Sequence, residues 1–261
     1  MDVRKRGGAM VYQTGHDIYA DERTGVLKNR LGISDRRELE VMAARISAGR
    51  QNELRSLRND VIPSKYPVDS VEFLMDLHKL LLGEVYDWAG EYRKVDVGIS
   101  YDHVAYEPWG NVPEKLEEVF AYIKENDMFR DKGGEYDEAD RITGLALVYG
   151  NIKNLQPFRD GNTRTAMLYT QFLAGASGYV VDFDMADKER LALASVAARD
   201  GKPDRLVIEF AFMTYHERYN PEIGLPKIVA DPKAPELSKY ISGKYRDVSA
   251  GRTYRNDGIC R

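Results

Sequence analysis

Between Asn154 and Thr165 the chain reads Asn-Leu-Gln-Pro-Phe-Arg-Asp-Gly-Asn-Thr-Arg-Thr. One helical pattern ends near Leu155 and another begins near Asn162, so this is a loop feeding a helix start. Unpaired backbone N–H groups and the positive end of a helix dipole gather at such a start, and together they bind phosphate. Gly161 lets the backbone approach an anion closely. Asn162 can donate to an anion or cap the helix, and Arg164 on the first turn supplies a planar cationic fork. Asp160, just before the turn, can hold a Mg²⁺ that keeps its waters and bridges phosphate oxygens. The same residues also make an ordinary turn in which Asp160 or Asn162 merely caps the next helix, and local physics alone favours that plainer reading.

Helices must position this loop. Residues 34–58 open with Ser34 and Glu38 at a helix start, and Leu39, Met42, Ala43 and Ile46 recur at three- and four-residue steps. The Pro63/Pro67 stretch breaks the chain before a second helix over 69–82, capped by Asp69 or Ser70. Further helices are predicted over 112–126, 137–155, 161–176, 187–200 and 203–219. Tyr92, Val95, Val97 and Ile99 alternate around a Gly-Ile-Ser-Tyr-Asp centre and predict a short hairpin, the one strand signal in the chain. The fold class is therefore mainly α with a short β-hairpin. Residues 1–33 form an N-terminal extension and 34–220 the domain. A tail over 221–261 holds four prolines and a net charge of +3, from 8 Lys+Arg and 5 Asp+Glu. The tail reads as poorly ordered or docked without a core of its own, its Arg246, Arg252, Arg255 and Arg261 solvated rather than bound to an acidic partner.

Composition narrows the function classes. The 261 residues are 43% hydrophobic, enough to close a substantial core. Against 42 Asp+Glu stand 38 Lys+Arg, a balance of −4 that argues against attachment to nucleic acid or anionic membrane by bulk charge. A single cysteine, Cys260, excludes a disulfide scaffold and a Cys-based zinc site, and His16, His78, His103 and His216 lack metal-ligand spacing. No apolar run approaches a membrane span and the N-terminal residues carry no apolar signal core, so a soluble intracellular protein is expected.

The loop resembles the signature of the Fic (Fido) family, HPFx[D/E]GNGRxxR, with Pro157, Phe158, Asp160, Gly161, Asn162 and Arg164 in register. Leu77-His78 followed by Tyr86-Asp87-Trp88-Ala89-Gly90-Glu91-Tyr92-Arg93 is similar to the family's helix and YxWAGxxR segment, and Leu27–Ile33 resembles the entrance to bacterial Fic toxins. The resemblance covers about residues 20–220 and implies a helical Fic fold with a hairpin flap. It implies ATP and Mg²⁺ as cofactors and AMP transfer to a Ser, Thr or Tyr hydroxyl of a target protein. By the same resemblance Asp160 is the metal ligand, Gly161, Asn162 and Thr163 the anion cradle and Arg164 the phosphate arginine. Phe158 is then the apolar anchor of the loop and His78 a packed structural histidine. The hairpin over 93–106 corresponds to the flap on which a target backbone docks by strand addition. A bacterial cytoplasmic toxin, or a translocated effector, is the setting implied, with no membrane or direct nucleic-acid partner.

Three departures bear on activity. Gln156 stands where the family has its general-base histidine, and a neutral amide can orient a hydroxyl without carrying its proton away. Thr163 replaces a glycine, narrowing the cradle while adding a hydroxyl. Met167 replaces the last arginine of the pattern, which reaches the outer phosphates. The expectation is an adenylyltransferase of reduced or lost activity, with a catalytically dead binding module and a Doc-like phosphotransferase as alternatives. Ser34-Asp35-Arg36-Arg37-Glu38-Leu39 partly matches the family's inhibitory motif, although a capping-box helix start accounts for it better. A small separate antitoxin is then the partner that would regulate the site.

Overall fold

Seven helices and two short strand pairs make up the residues that the computed structural model describes, namely 11–13, 17–56, 67–99, 106–126, 129 and 137–216. The hairpin centre at 100–105, the tail over 221–261 with its arginines and Cys260, and His16 and His103 lie outside them. In chain order the elements are β1 (Val11–Gln13), α1 (Arg36–Ser56), α2 (Val71–Leu82), β2 (Val97–Ile99), α3 (Val112–Glu125), α4 (Glu138–Leu155) and α5 (Asn162–Ala176). They are followed by β3 (Tyr179–Val181), a single 3₁₀ turn (Phe183–Met185), α6 (Lys188–Arg199), α7 (Asp204–Met213) and β4 (Thr214–His216).

Short acidic and hydroxyl side chains start most of these helices. Asp35 Oδ1 accepts from the Glu38 amide at 2.8 Å, so Asp35 and not Ser34 caps α1. Ser70 accepts from Phe73 at 3.2 Å for α2, Asp137 from Asp140 at 2.9 Å for α4, and Asp187 from Arg190 at 2.9 Å for α6. Each bond satisfies one of the orphan donors of a first turn, worth about 1 kcal/mol.

Helix α4 is the axis of the fold, packed against α3, α5, α6 and α7. Ile142, Leu145, Ala146, Val148, Tyr149 and Ile152 are all buried, so it is covered on every side rather than along one stripe. Gly150 shows how close the neighbours come: a Cβ there would lie 2.8 Å from the Leu206 Cδ2 of α7. Around α4 the core is built from Phe73, Leu74, Leu77, Leu81 and Leu82 of α2, Leu116, Val119 and Phe120 of α3, and Leu168, Tyr169, Phe172 and Leu173 of α5. Phe73, Phe120 and Tyr169 meet edge-on or tilted, with ring centres 5.4–6.2 Å apart.

Two elements differ from the pattern expected. The helix placed over 203–219 ends at Met213, and Thr214–His216 turns into β4, antiparallel to β3 with Val180 opposite Tyr215. A β-branched residue and two aromatics favour extended backbone once a neighbouring strand is present, and that neighbour arrives from 33 to 37 positions earlier in the chain. The second difference is the partner of β2. Its ladder runs to β1, with Val11 opposite Ile99, Tyr12 opposite Gly98 and Gln13 opposite Val97. The hairpin's own closure is seen in the Tyr106 amide, which donates to the Val97 carbonyl at 3.1 Å. Within the extension, Val26 joins the main core, and Tyr19 packs with Val95 and Val97 beneath the hairpin.

Candidate active site

The loop hangs from the C-terminus of α4. Gln156 is the residue that ends this helix, in the left-handed conformation at φ 47°, where no other non-glycine residue among those described is found. Its side chain folds back and donates from Nε2 to the Lys153 carbonyl at 2.6 Å. Its own carbonyl accepts from Arg93 Nε at 2.7 Å. Arg93 is fully enclosed and its hydrogen bonds all go to backbone: Nη1 donates to Val95 at 2.8 Å, and Nη2 to Leu155 at 3.3 Å and to the Glu107 carbonyl, with the Asp96 carboxylate 3.8 Å from Nη1. The Arg93 amide also donates to Pro157 at 2.9 Å. Burial pulls the guanidinium down to about 10, which leaves it cationic at neutral pH. One side chain thus ties the base of the hairpin to the end of α4 and the start of the loop.

Phe158 and His78 form the floor. The two rings stack at 3.7 Å with 5° between their planes, and both are enclosed. The Gly90 amide donates to His78 Nδ1 at 2.8 Å, so Nε2 carries the proton and donates to the Asp160 carbonyl at 3.0 Å. Burial drives this imidazole down to about 4, and it is neutral. Asn162 closes the loop with a reciprocal pair: Oδ1 accepts from the Phe158 amide and Nδ2 donates to the Phe158 carbonyl, each at 2.8 Å. Its side chain therefore shapes the loop instead of capping α5. Gly161 is required twice over, by φ 78° and because a Cβ would lie 2.3 Å from Leu82 Cδ1 and 3.3 Å from His78 Nε2. Its missing side chain makes room for α2.

Above this floor, α5 begins on Gly161 with no side-chain cap. The first-turn amides are therefore open to an anion, Thr163 lies exposed at the rim, and Arg164 and Asp160 come together at 3.4 Å. Arg164 Nη1 is anchored to α1 through the Ala43 carbonyl (3.1 Å) and Ser47 Oγ (2.8 Å). Asp160 Oδ2 also accepts from the Tyr86 hydroxyl at 3.1 Å, and burial together with this carboxylate raises the Tyr86 pKa, keeping the phenol protonated as a donor. Oδ1 of the same half-exposed carboxylate is left for a cation. Among the described residues no three His, Cys, Asp or Glu side chains converge on a metal position. A lone carboxylate beside a phosphate cradle fits Mg²⁺ shared with a nucleotide, and not a metal caged by protein. Met167 packs its half-buried side chain against the core.

The N-terminal segment also contributes to the site, which its sequence does not reveal. Asp17 and Arg159, both almost enclosed, pair at 2.6 Å, and Tyr19 accepts the Lys94 amide on its hydroxyl at 3.0 Å. Nothing in the sequence pattern around Asp17 marks it, because its partner is 142 positions away. Arg93 and Tyr86 were legible as types within the Tyr-Asp-Trp-Ala-Gly-Glu-Tyr-Arg run, while their contacts to the loop were not.

The Fic/DOC family profile matches residues 68–174, which run from the foot of α2 almost to the end of α5 and include the loop and the hairpin. The chain is 30% identical over 193 residues to "Protein adenylyltransferase VbhT" of Bartonella schoenbuchensis, covering 74% of this chain and 38% of that protein. It therefore spans little more than a third of that relative. It is 28% identical over 180 residues to the "Probable protein adenylyltransferase Fic" of Escherichia coli, covering 67% and 80%. Among solved structures it superposes on the N-terminal Fic domain of a VirB-translocated Bep effector protein from Bartonella quintana, solved with bound ADP. The TM-score is 0.66 at 21% identity, covering 77% of this chain and 95% of that one. A helix-framed loop pinned by Arg93 and a matching profile across it lead to one conclusion: this chain belongs to the Fic/DOC family.

Proposed function

We propose that the domain binds ATP with Mg²⁺ at the start of α5 and transfers AMP to a hydroxyl of another protein, at a rate held down by Gln156. The observation that carries this reading is the uncapped helix start on Gly161, flanked by the Asp160 carboxylate and the Arg164 guanidinium 3.4 Å apart. Relatives named protein adenylyltransferases and a structural neighbour solved with ADP support it.

The open amides of α5 and the free donors of Arg164 would hold phosphate oxygens, and Gly161 and Thr163 would border them. Asp160 Oδ1 would hold a Mg²⁺, which offsets phosphate charge when bound. The acceptor oxygen attacks the α-phosphorus, the bond to the bridging oxygen breaks, and pyrophosphate leaves. The acceptor's proton must go to water, because the Gln156 amide offers a carbonyl oxygen without useful basicity. Loss of a general base costs about 10²–10⁴-fold in rate, leaving positioning and electrostatics to carry what remains. An extended target segment would dock on the flap over 93–106, and a small antitoxin helix is the regulating partner that suits this reading. Action in a bacterial cytoplasm, or after translocation as the Bep name implies for that neighbour, belongs to the same proposal.

A second reading, a domain that holds nucleotide without turnover, is favoured by the engaged Gln156 amide and by Met167. Incubation with α- or γ-labelled ATP and cell lysate separates the possibilities. Label from the α position only supports AMP transfer, and label from γ only shows Doc-like phosphotransfer. No label, with heat of ATP binding in millimolar Mg²⁺, shows a binder. Absence of both label and heat removes the proposal.

A further inference from the structure

The edge of β2 on which a target backbone would dock is already taken. In an antiparallel ladder the N–H and C=O of one residue point to the same side, and successive residues alternate. Val97 gives its carbonyl to Tyr106, so it faces the returning arm of the hairpin, and Gly98 faces the other way, toward Tyr12 of β1. Both edges of β2 are therefore paired. The segment behind β1 is fastened to the site itself. Asp17 grips Arg159, the neighbour of Asp160, through Nη2 at 2.6 Å and Nε at 3.1 Å. Tyr19 accepts the Lys94 amide just before β2 and sets its ring edge-on to Trp88 at 5.3 Å, and the Lys28 amide returns to the Tyr19 carbonyl at 2.8 Å.

We propose that β1 is the chain's own occupant of the docking edge, a cis strand that must leave before a target segment can add to β2. This rests on the reading of the hairpin as the target-docking flap. A three-residue pair is marginal by itself, so β1 can open while the helical core stays intact. Asp17 and Tyr19 form a separate hinge-side anchor, which keeps the released strand close and at high effective concentration. The occupant that displaces it is an extended peptide with free backbone N–H and C=O groups, pairing in the same antiparallel sense. Because Arg159 is part of the grip, the strap and the loop bearing Asp160 are coupled through one ion pair.

The full chain, without nucleotide, tests this. Tyr12→Pro removes the amide that pairs with Gly98 and leaves the helices untouched. The probe is a fluorescent peptide of residues 9–15, read by anisotropy, with hydrogen exchange at the Gly98 amide as a second readout. Tyr12→Pro is expected to bind the peptide at least about tenfold more tightly than the wild type, the factor set by the closed fraction of β1. The Gly98 amide is expected to be protected in the wild type, exposed in the variant and protected again when peptide is added. Asp17→Asn is expected to fall between the two and serves if the proline variant does not fold. Equal binding by wild type and variants, no binding by either variant, or an unprotected Gly98 amide in the wild type would overturn the proposal. None of these readouts uses ATP, so failure here is distinct from failure of the adenylyl-transfer reading.

Discussion

His78 and Phe158 stack at 3.7 Å, and the same imidazole bridges the Gly90 amide to the Asp160 carbonyl. This arrangement requires the neutral ring, with one nitrogen accepting and the other donating. Burial lowers the pKa from its ordinary 6.5 to about 4, so between those values the unfolded chain takes up the proton first. The stability held by neutral His78 is complete above pH 6.5 and is lost as pH falls toward 4, by about 3 kcal/mol in all. Urea titrations at several pH values should show a steeper decline for wild type than for His78→Gln over that window. Parallel curves would refute the assignment.

Restoring a base at position 156 should restore rate. His tolerates the left-handed backbone better than most residues. In Gln156→His, Nδ1–H can take over the bond to the Lys153 carbonyl now made by Nε2 of Gln156, leaving the imidazole Nε2 unprotonated. Transfer of α-label is expected to rise about 10²-fold or more. Silence in that variant, with ATP binding intact, would place the defect in the cradle at Met167.

Arg93 carries a structural load that Lys cannot. Arg93→Met strips donors from the carbonyls of Leu155, Gln156, Val95 and Glu107. The expected cost is about 3 kcal/mol or more, since buried acceptors lose a charged partner. Arg93→Lys should recover only part, because an ammonium lacks the fork. Denaturant midpoints at constant m-value report both.

Gly161 and Gly201 share a positive φ, 78° and 77°, but only Gly161 has Leu82 and His78 behind it. Gly161→Ala should cost about 2–4 kcal/mol, strain and overpacking combined, whereas Gly201→Ala should cost about 1–2 kcal/mol from strain alone. Similar losses at the two positions would show that contact with α2 contributes nothing.

Much of the fold and of the site is legible in the sequence. The helical periodicity of 137–155 and 161–176 and the turn residues between them place the loop between two helices, as found. Asp160, two residues before α5, and Arg164 on its first turn are close in sequence, and they pair across that helix start. What escaped the sequence was everything joined across distance. The pairing of Thr214–His216 with Tyr179–Val181 and of Val11–Gln13 with Val97–Ile99 leaves no periodic trace in segments of three residues. The clasp of the Asn162 side chain on Phe158, in place of a helix cap, is visible only in the folded loop.

The grip of Arg93 on both the flap base and the loop makes it a ruler between two workplaces, the ledge where a visiting strand would lie and the spot where a phosphorus atom would be attacked. Fixed spacing would turn the pleat of that visitor into a selector. A guest seated one residue out of register would turn every side chain to the opposite side, and no flexing at the base could bring its hydroxyl back.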